Sequence, residues 1–153
     1  MAILIVDDEP TQLESIARFL RSKGFDVYQT ASGEEAMELL NLHEAGISLV
    51  ILDYLMTGMT GLEVMDRIRG RAYAPPIILI TAYADRDLVA NARTRLFDGF
   101  LEKPFTPDQL YEEIQRILLA WKGVTEEITN EKPRLVLVDH IPTKPCKGRP
   151  IYE

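Results

Sequence analysis

What the chain has little of narrows its class before any motif is considered. One cysteine, Cys146, stands in 153 residues, so a disulfide framework within the chain is excluded and a reducing compartment is the expected setting. No apolar run approaches the ~18 residues that a membrane span requires, and no basic segment precedes the apolar N-terminal one. The expected location is the cytoplasm, with no membrane partner. Positive charge is in deficit: a formal net charge of −7 argues against a nucleic-acid binder acting through its overall field. With 46% hydrophobic residues, the chain can bury enough apolar surface for one domain and has little left for a second domain.

What is present is a series of apolar runs, the most informative being Ser48–Asp53, which drives straight into a carboxylate. Apolar residues without alternation indicate a strand covered on both faces, as in a parallel sheet, and ligands of such sheets gather at the carboxyl ends of the strands. The first run, Ala2–Val6, ends the same way in Asp7 and Asp8. Asp26–Thr30, Pro76–Ile80 and the short Gly99–Leu101 complete a set of five strands.

Helices alternate with these strands, and their boundaries carry punctuation. Pro10 is placed to open the first helix, with Leu13, Ile16, Ala17 and Leu20 on one face and Gly24 as its stop. Ser32 with Glu35, Thr60 with Glu63, and Thr106 with Gln109 are spaced as capping boxes for three more. A weaker helical pattern runs from about Asp85 to Arg95. Five strand–helix repeats predict an α/β doubly wound sheet with helices on both faces, because each parallel strand must return through a right-handed crossover. Periodicity alone leaves the strand order open.

Five polar side chains, Asp7, Asp8, Asp53, Thr81 and Lys103, are placed just beyond the ends of the first, third, fourth and fifth strands. Three carboxylates make an oxygen-rich site for a hard divalent cation such as Mg²⁺. Thr81 offers a hydroxyl and Lys103 a flexible point charge, both suited to the oxygens of a phosphoryl group. The residue chemistry is that of phosphate handling.

In combination these motifs resemble the receiver domain of two-component response regulators, over residues 1–122. Val6-Asp7-Asp8-Glu9 is similar to the family's acidic pair, Leu52-Asp53 to its phospho-accepting strand end, Thr81-Ala82 to its switch hydroxyl, and Lys103-Pro104-Phe105 to its lysine signature. The resemblance implies a flavodoxin-like, five-stranded parallel sheet in the order 2-1-3-4-5. It implies that Asp53 is the nucleophile toward a phosphohistidine on a histidine kinase or histidine phosphotransfer protein. Asp8 and Asp53 would hold Mg²⁺ directly, with the Leu55 backbone carbonyl as a third ligand and Asp7 acting through water. Lys103 would pair with a phosphoryl oxygen, Thr81 would swing to bond another, and Phe100 would turn inward as an aromatic switch. Leu55 and Tyr83, each two residues past a site residue, would shield the phosphoryl group from water. Such a chain is no enzyme beyond self-catalysed phosphoryl acceptance and slow autodephosphorylation, and it would act on a downstream protein.

Two positions depart from the pattern. Thr57 stands where the family usually has proline, which is expected to loosen the loop without touching any ligand side chain. Phe100 lacks a tyrosine hydroxyl and one hydrogen bond that it would offer a partner.

Other classes fit less well. An aspartyl phosphatase usually needs a second acid two residues after its nucleophile, where this chain has Leu55. A flavin module would want a Gly/Ser/Thr-rich phosphate loop after its first strand, and Asp7-Asp8-Glu9-Pro10 would repel phosphate without a metal. The live alternative is a receiver fold serving as a phosphorylation-independent protein-binding module.

Residues 123–153 read as a polar linker and a C-terminal extension too short for an output domain. Within them Arg134–Val138 carries four consecutive apolar residues, expected to add a strand to the open edge of the fifth. Exchange of that strand between two chains would give a homodimer.

Overall fold

A computed structural model of the chain describes residues 1–43, 46–82 and 97–130, with side chains described as far as Trp121. The elements run β1 (Ala2–Val6), α1 (Pro10–Ser22), β2 (Asp26–Thr30), α2 (Gly33–Leu42), β3 (Ile47–Asp53), α3 (Gly61–Arg69), β4 (Ile77–Ala82), β5 (Gly99–Lys103) and α4 (Pro107–Asn130). The strands form one parallel sheet in the order β2-β1-β3-β4-β5. This is the doubly wound order of the flavodoxin-like fold.

Alternate residues of the central strands feed two separate cores. Leu4, Val6, Val50, Leu52, Ile77 and Leu79 face α2 and α3, meeting Ala36, Leu40, Val64, Met65 and Ile68. Ile3, Ile5, Leu49, Ile51, Ile78 and Ile80 face the other way, onto Ile16, Ala17 and Leu20 of α1 and Leu110, Ile114 and Ile117 of α4. Nearly all of these side chains are sealed from solvent, each of those larger than alanine contributing about 1.5–3 kcal/mol of burial free energy. Apolar runs without alternation are the direct consequence of that two-sided coverage.

The caps fall where the spacing predicts. Thr60 and Glu63 form a reciprocal box, Glu63 N–H donating to Thr60 Oγ1 at 3.3 Å and Thr60 N–H to Glu63 Oε2 at 2.7 Å. Thr106 and Gln109 do the same at the start of α4. At α2, Ser32 accepts from Glu35 N–H at 3.2 Å, but the Glu35 carboxylate turns back to Ala31 N–H instead of to Ser32. Pro10 opens α1, and Gly24, at φ +88°, follows its end.

The boundaries differ from the sequence reading in two places. Asp53, Thr81 and Lys103 lie inside β3, β4 and β5, not beyond them, because parallel pairing with the neighbouring strand continues to Asp53, Ala82 and Lys103. The last helix runs to Asn130, so the segment from Gly123 to Asn130 is helix and not linker. A lone glycine in a helix costs only about 1 kcal/mol, and the Glu-containing stretch behind it lets the helix continue. The helical pattern of 85–95, Tyr83 and the apolar run Arg134–Val138 lie outside the described residues. Among the described residues no helix is long and apolar enough to cross a membrane.

Candidate functional site

Strand register assembles the site. Val6 pairs with Leu52, Asp53 with Ile80, and Ala82 with Lys103, so the carboxyl ends of β1, β3, β4 and β5 come level on one rim. Asp7 and Asp8 follow β1, Asp53 closes β3, Thr81 is next to last in β4, and Lys103 ends β5. All five predicted residues therefore converge.

One carboxylate oxygen from each of Asp7, Asp8 and Asp53 lies within 4.8 Å of the others. Asp7 and Asp53 are buried and Asp8 half-buried. Unit charges of like sign at such a separation repel by about 3–4 kcal/mol at a near-surface effective dielectric. Lys103 relieves part of this, its Nζ donating to Asp53 Oδ2 at 3.1 Å.

Burial is the largest influence on both inner acids. It raises the Asp53 carboxyl, while the Lys103 charge, the Lys103 hydrogen bond and a hydrogen bond with the Leu55 backbone pull it back and Asp8 pushes it further up. Asp7 is pushed up to about 6 by burial, against the hydrogen bond that Glu9 N–H donates to its Oδ1 at 2.8 Å. Asp7 Oδ2 is buried and has no hydrogen-bond partner among the described residues.

These features fit a hard divalent cation. The donors are all oxygens, the set carries more negative charge than Lys103 neutralises, and Asp7 Oδ2 is an acceptor whose burial is costly unless something electropositive meets it. Softer metals would call for imidazole or thiolate, and none of the clustered ligands is His or Cys.

The loop after β3 forms one wall. Gly61 N–H donates to the Tyr54 carbonyl at 3.0 Å, and a Cβ at Gly61 would stand 2.7 Å from the Asp53 carbonyl oxygen, so only glycine permits this return. Met56 and Met59 are buried, while the Leu55 side chain projects to solvent at 58% exposure. Between the methionines, Thr57 donates twice to Asp8 Oδ2, from its backbone N–H at 2.8 Å and its hydroxyl at 3.1 Å. The expectation that Thr57 touches no candidate ligand side chain is thus wrong. Proline's rigidity is replaced by anchoring, and the threonine contributes the two donors that proline lacks. A hydroxyl residue four positions past the acceptor acid was the available signal.

Thr81 is fully buried, and its hydroxyl donates to the Ala82 carbonyl at 3.3 Å instead of toward Asp53. Phe100 is half-buried, its ring centroid 6.1 Å from that of Phe97 and packed against the core shared with α2 and α3.

The family model for the response regulator receiver domain matches residues 3–115. The chain belongs to this family. The receiver is 35% identical over 126 residues to the chemotaxis protein CheY of Pseudomonas aeruginosa, an alignment covering 80% of this chain and 100% of CheY. It is 29% identical over 118 residues to a cyclic di-GMP phosphodiesterase of Thermotoga maritima, covering 77% of this chain but only 31% of that protein. Among solved structures, a response regulator receiver domain protein from Clostridium thermocellum superposes with a TM-score of 0.76 at 26% identity, covering 80% of this chain and 98% of that one. Response regulator receivers of this kind serve two-component systems.

Proposed function

We propose that this receiver accepts a phosphoryl group on Asp53 from a phosphohistidine of a histidine kinase or histidine phosphotransfer protein, and that the acyl phosphate resets a surface read by a downstream protein. The observation that carries the reading is the Asp53 carboxylate, buried at the end of β3, paired with Lys103 at 3.1 Å and grouped with Asp7 and Asp8.

In the transfer, a carboxylate oxygen of Asp53 forms a bond to phosphorus while the P–N bond to the donor imidazole breaks. The electron pair of that bond stays on the ring nitrogen, which leaves as neutral histidine on taking up a proton. Lys103, already within reach of Asp53, exchanges its carboxylate contact for a phosphoryl oxygen. Asp8 and Asp53 would hold Mg²⁺ directly, with the Leu55 carbonyl as a further ligand and Asp7 acting through water. Bound there, the ion would neutralise charge on the transferring group. The Thr81 hydroxyl would leave the Ala82 carbonyl for a phosphoryl oxygen, and Phe100 would move further into the space this opens.

Incubation with acetyl phosphate and Mg²⁺ tests the reading by intact mass. The wild type gains one hydroxylamine-labile phosphoryl group, and Asp53→Asn and metal-free samples gain none. An equal, lasting adduct on the Asn variant would remove Asp53 from the role. A chain that takes up no phosphoryl group at all would leave the fold as a phosphorylation-independent binding module.

A further inference from the structure

We infer that Thr57 is a positioning residue for the cation site, holding the Asp8 carboxylate in its metal-binding orientation; the inference rests on the proposed role of Asp8 as a ligand. The two hydrogen bonds described for the Asp8 side chain both come from Thr57, and both fall on Oδ2, at 2.8 Å and 3.1 Å. Oδ1 is left without a protein donor among the described residues, its lone pairs available to a cation. Hydrogen bonds to an ionised acceptor are the stronger class, and outer partners of this kind fix the orientation of metal-ligating groups.

The need for such a hold is electrostatic. Asp8 is half-buried beside two other carboxylates, and without restraint its side chain would turn away from them into water. Thr57 prevents this because it is itself held. Met56 and Met59 on either side of it are buried, and the loop is closed by the bond from Gly61 N–H to the Tyr54 carbonyl. Met59 packs tightly on α2: a Cβ at Gly33 would lie 3.0 Å from both its Cβ and its Sδ. The donors of Thr57 thus approach Asp8 from a loop fastened at both ends, and the entropy of ordering the ligand is met on folding and not on metal binding.

Thr57→Val keeps the shape and the N–H but loses the hydroxyl, Thr57→Pro loses both donors, and Thr57→Ser keeps both. Isothermal titration of the full chain with Mg²⁺ should show binding weakened by about threefold in the valine variant and about tenfold in the proline variant, with serine close to wild type. In phosphorylation by acetyl phosphate, the Mg²⁺ concentration for half-maximal rate should rise in the same order, by more than the maximal rate falls. Valine and proline variants that bind Mg²⁺ as well as wild type, or better, would overturn the assignment, as would a serine variant that fails to restore affinity. A wild type that binds no Mg²⁺ would instead remove the proposed site itself, a result distinct from equal binding across the series.

Discussion

Lys103 reaches across β4 to Asp53: its Nζ lies 3.1 Å from Asp53 Oδ2, although their strands, β5 and β3, are not neighbours in the sheet. The bridge passes the end of the strand that carries Thr81, which is fully buried there. Since the lysine charge is the largest influence opposing the upward push of burial on Asp53, Lys103→Met should raise the acceptor's pKa in the metal-free chain. Carboxyl-carbon NMR titration checks this, and a shift downward or none would contradict it. With Mg²⁺ present, the same variant should take phosphate from acetyl phosphate more slowly, by about a hundredfold, for want of the cation on the transferring group.

Asp7 makes metal-free stability depend on pH. Its carboxyl, pushed up to about 6 from an ordinary 3.8, binds a proton more tightly in the folded chain than in the unfolded one. The stability this contributes is complete below the unfolded value and is lost as pH rises through about 6. In chelator, unfolding by urea should therefore be harder at about pH 5 than at about pH 7.5, by on the order of 1–2 kcal/mol from this group. Asp7→Asn should remove that difference, and saturating Mg²⁺ should reverse it, since a proton competes with the ion. An Asn variant with the wild-type pH dependence would refute the assignment.

Away from the site, Arg69 and Asp98 form an ion pair in which both side chains are only 6% exposed. Asp98 also accepts from Ile77 N–H at 2.8 Å, and Arg69 donates to the Pro75 carbonyl at 3.3 Å, so the pair ties the end of α3 to the starts of β4 and β5. Removing one partner strands a buried charge. Arg69→Ala or Asp98→Ala should each cost about 3–5 kcal/mol in chemical denaturation. The double replacement Arg69→Met, Asp98→Leu should cost less than the sum of the single ones. Full additivity would show that the two side chains do not act as a pair.

That pair marks the boundary of what the amino-acid sequence discloses. The sheet was legible because runs such as Val50–Asp53 keep one character and end in chemistry, and the helix starts because Ser32, Thr60 and Thr106 each stand three residues before Glu or Gln. Site convergence was legible for the same reason: each residue sits at a strand end, and the parallel order brings those ends together. Arg69 was not, since an arginine in the last turn of an amphipathic helix ordinarily reaches water, and its acceptor lies 29 positions away. The contact of Thr57 with Asp8 spans 49 positions and depends on loop geometry that no periodicity encodes. The helix beyond Gly123 escaped because a glycine before polar residues reads the same whether a helix ends there or runs on.

The lifetime of the phosphorylated state should depend on Leu55 and Tyr83. Neither side chain can act as a base toward water, and Leu55, two residues past the acceptor, is exposed to solvent. Leu55→Ala combined with Tyr83→Ala should speed loss of the phosphoryl group, followed by phosphate release after removal of donor. Unchanged decay in the double variant would discard shielding as the cause.

The central claim is that Asp53, among the three clustered acids, is the one that carries the phosphoryl group. Reducing the phosphorylated chain with borohydride converts an acyl phosphate to homoserine, and peptide mapping then locates the residue. The account predicts homoserine at position 53, dependent on both acetyl phosphate and Mg²⁺. Homoserine at Asp7 or Asp8, or none in a chain that has gained the mass of a phosphoryl group, would contradict it.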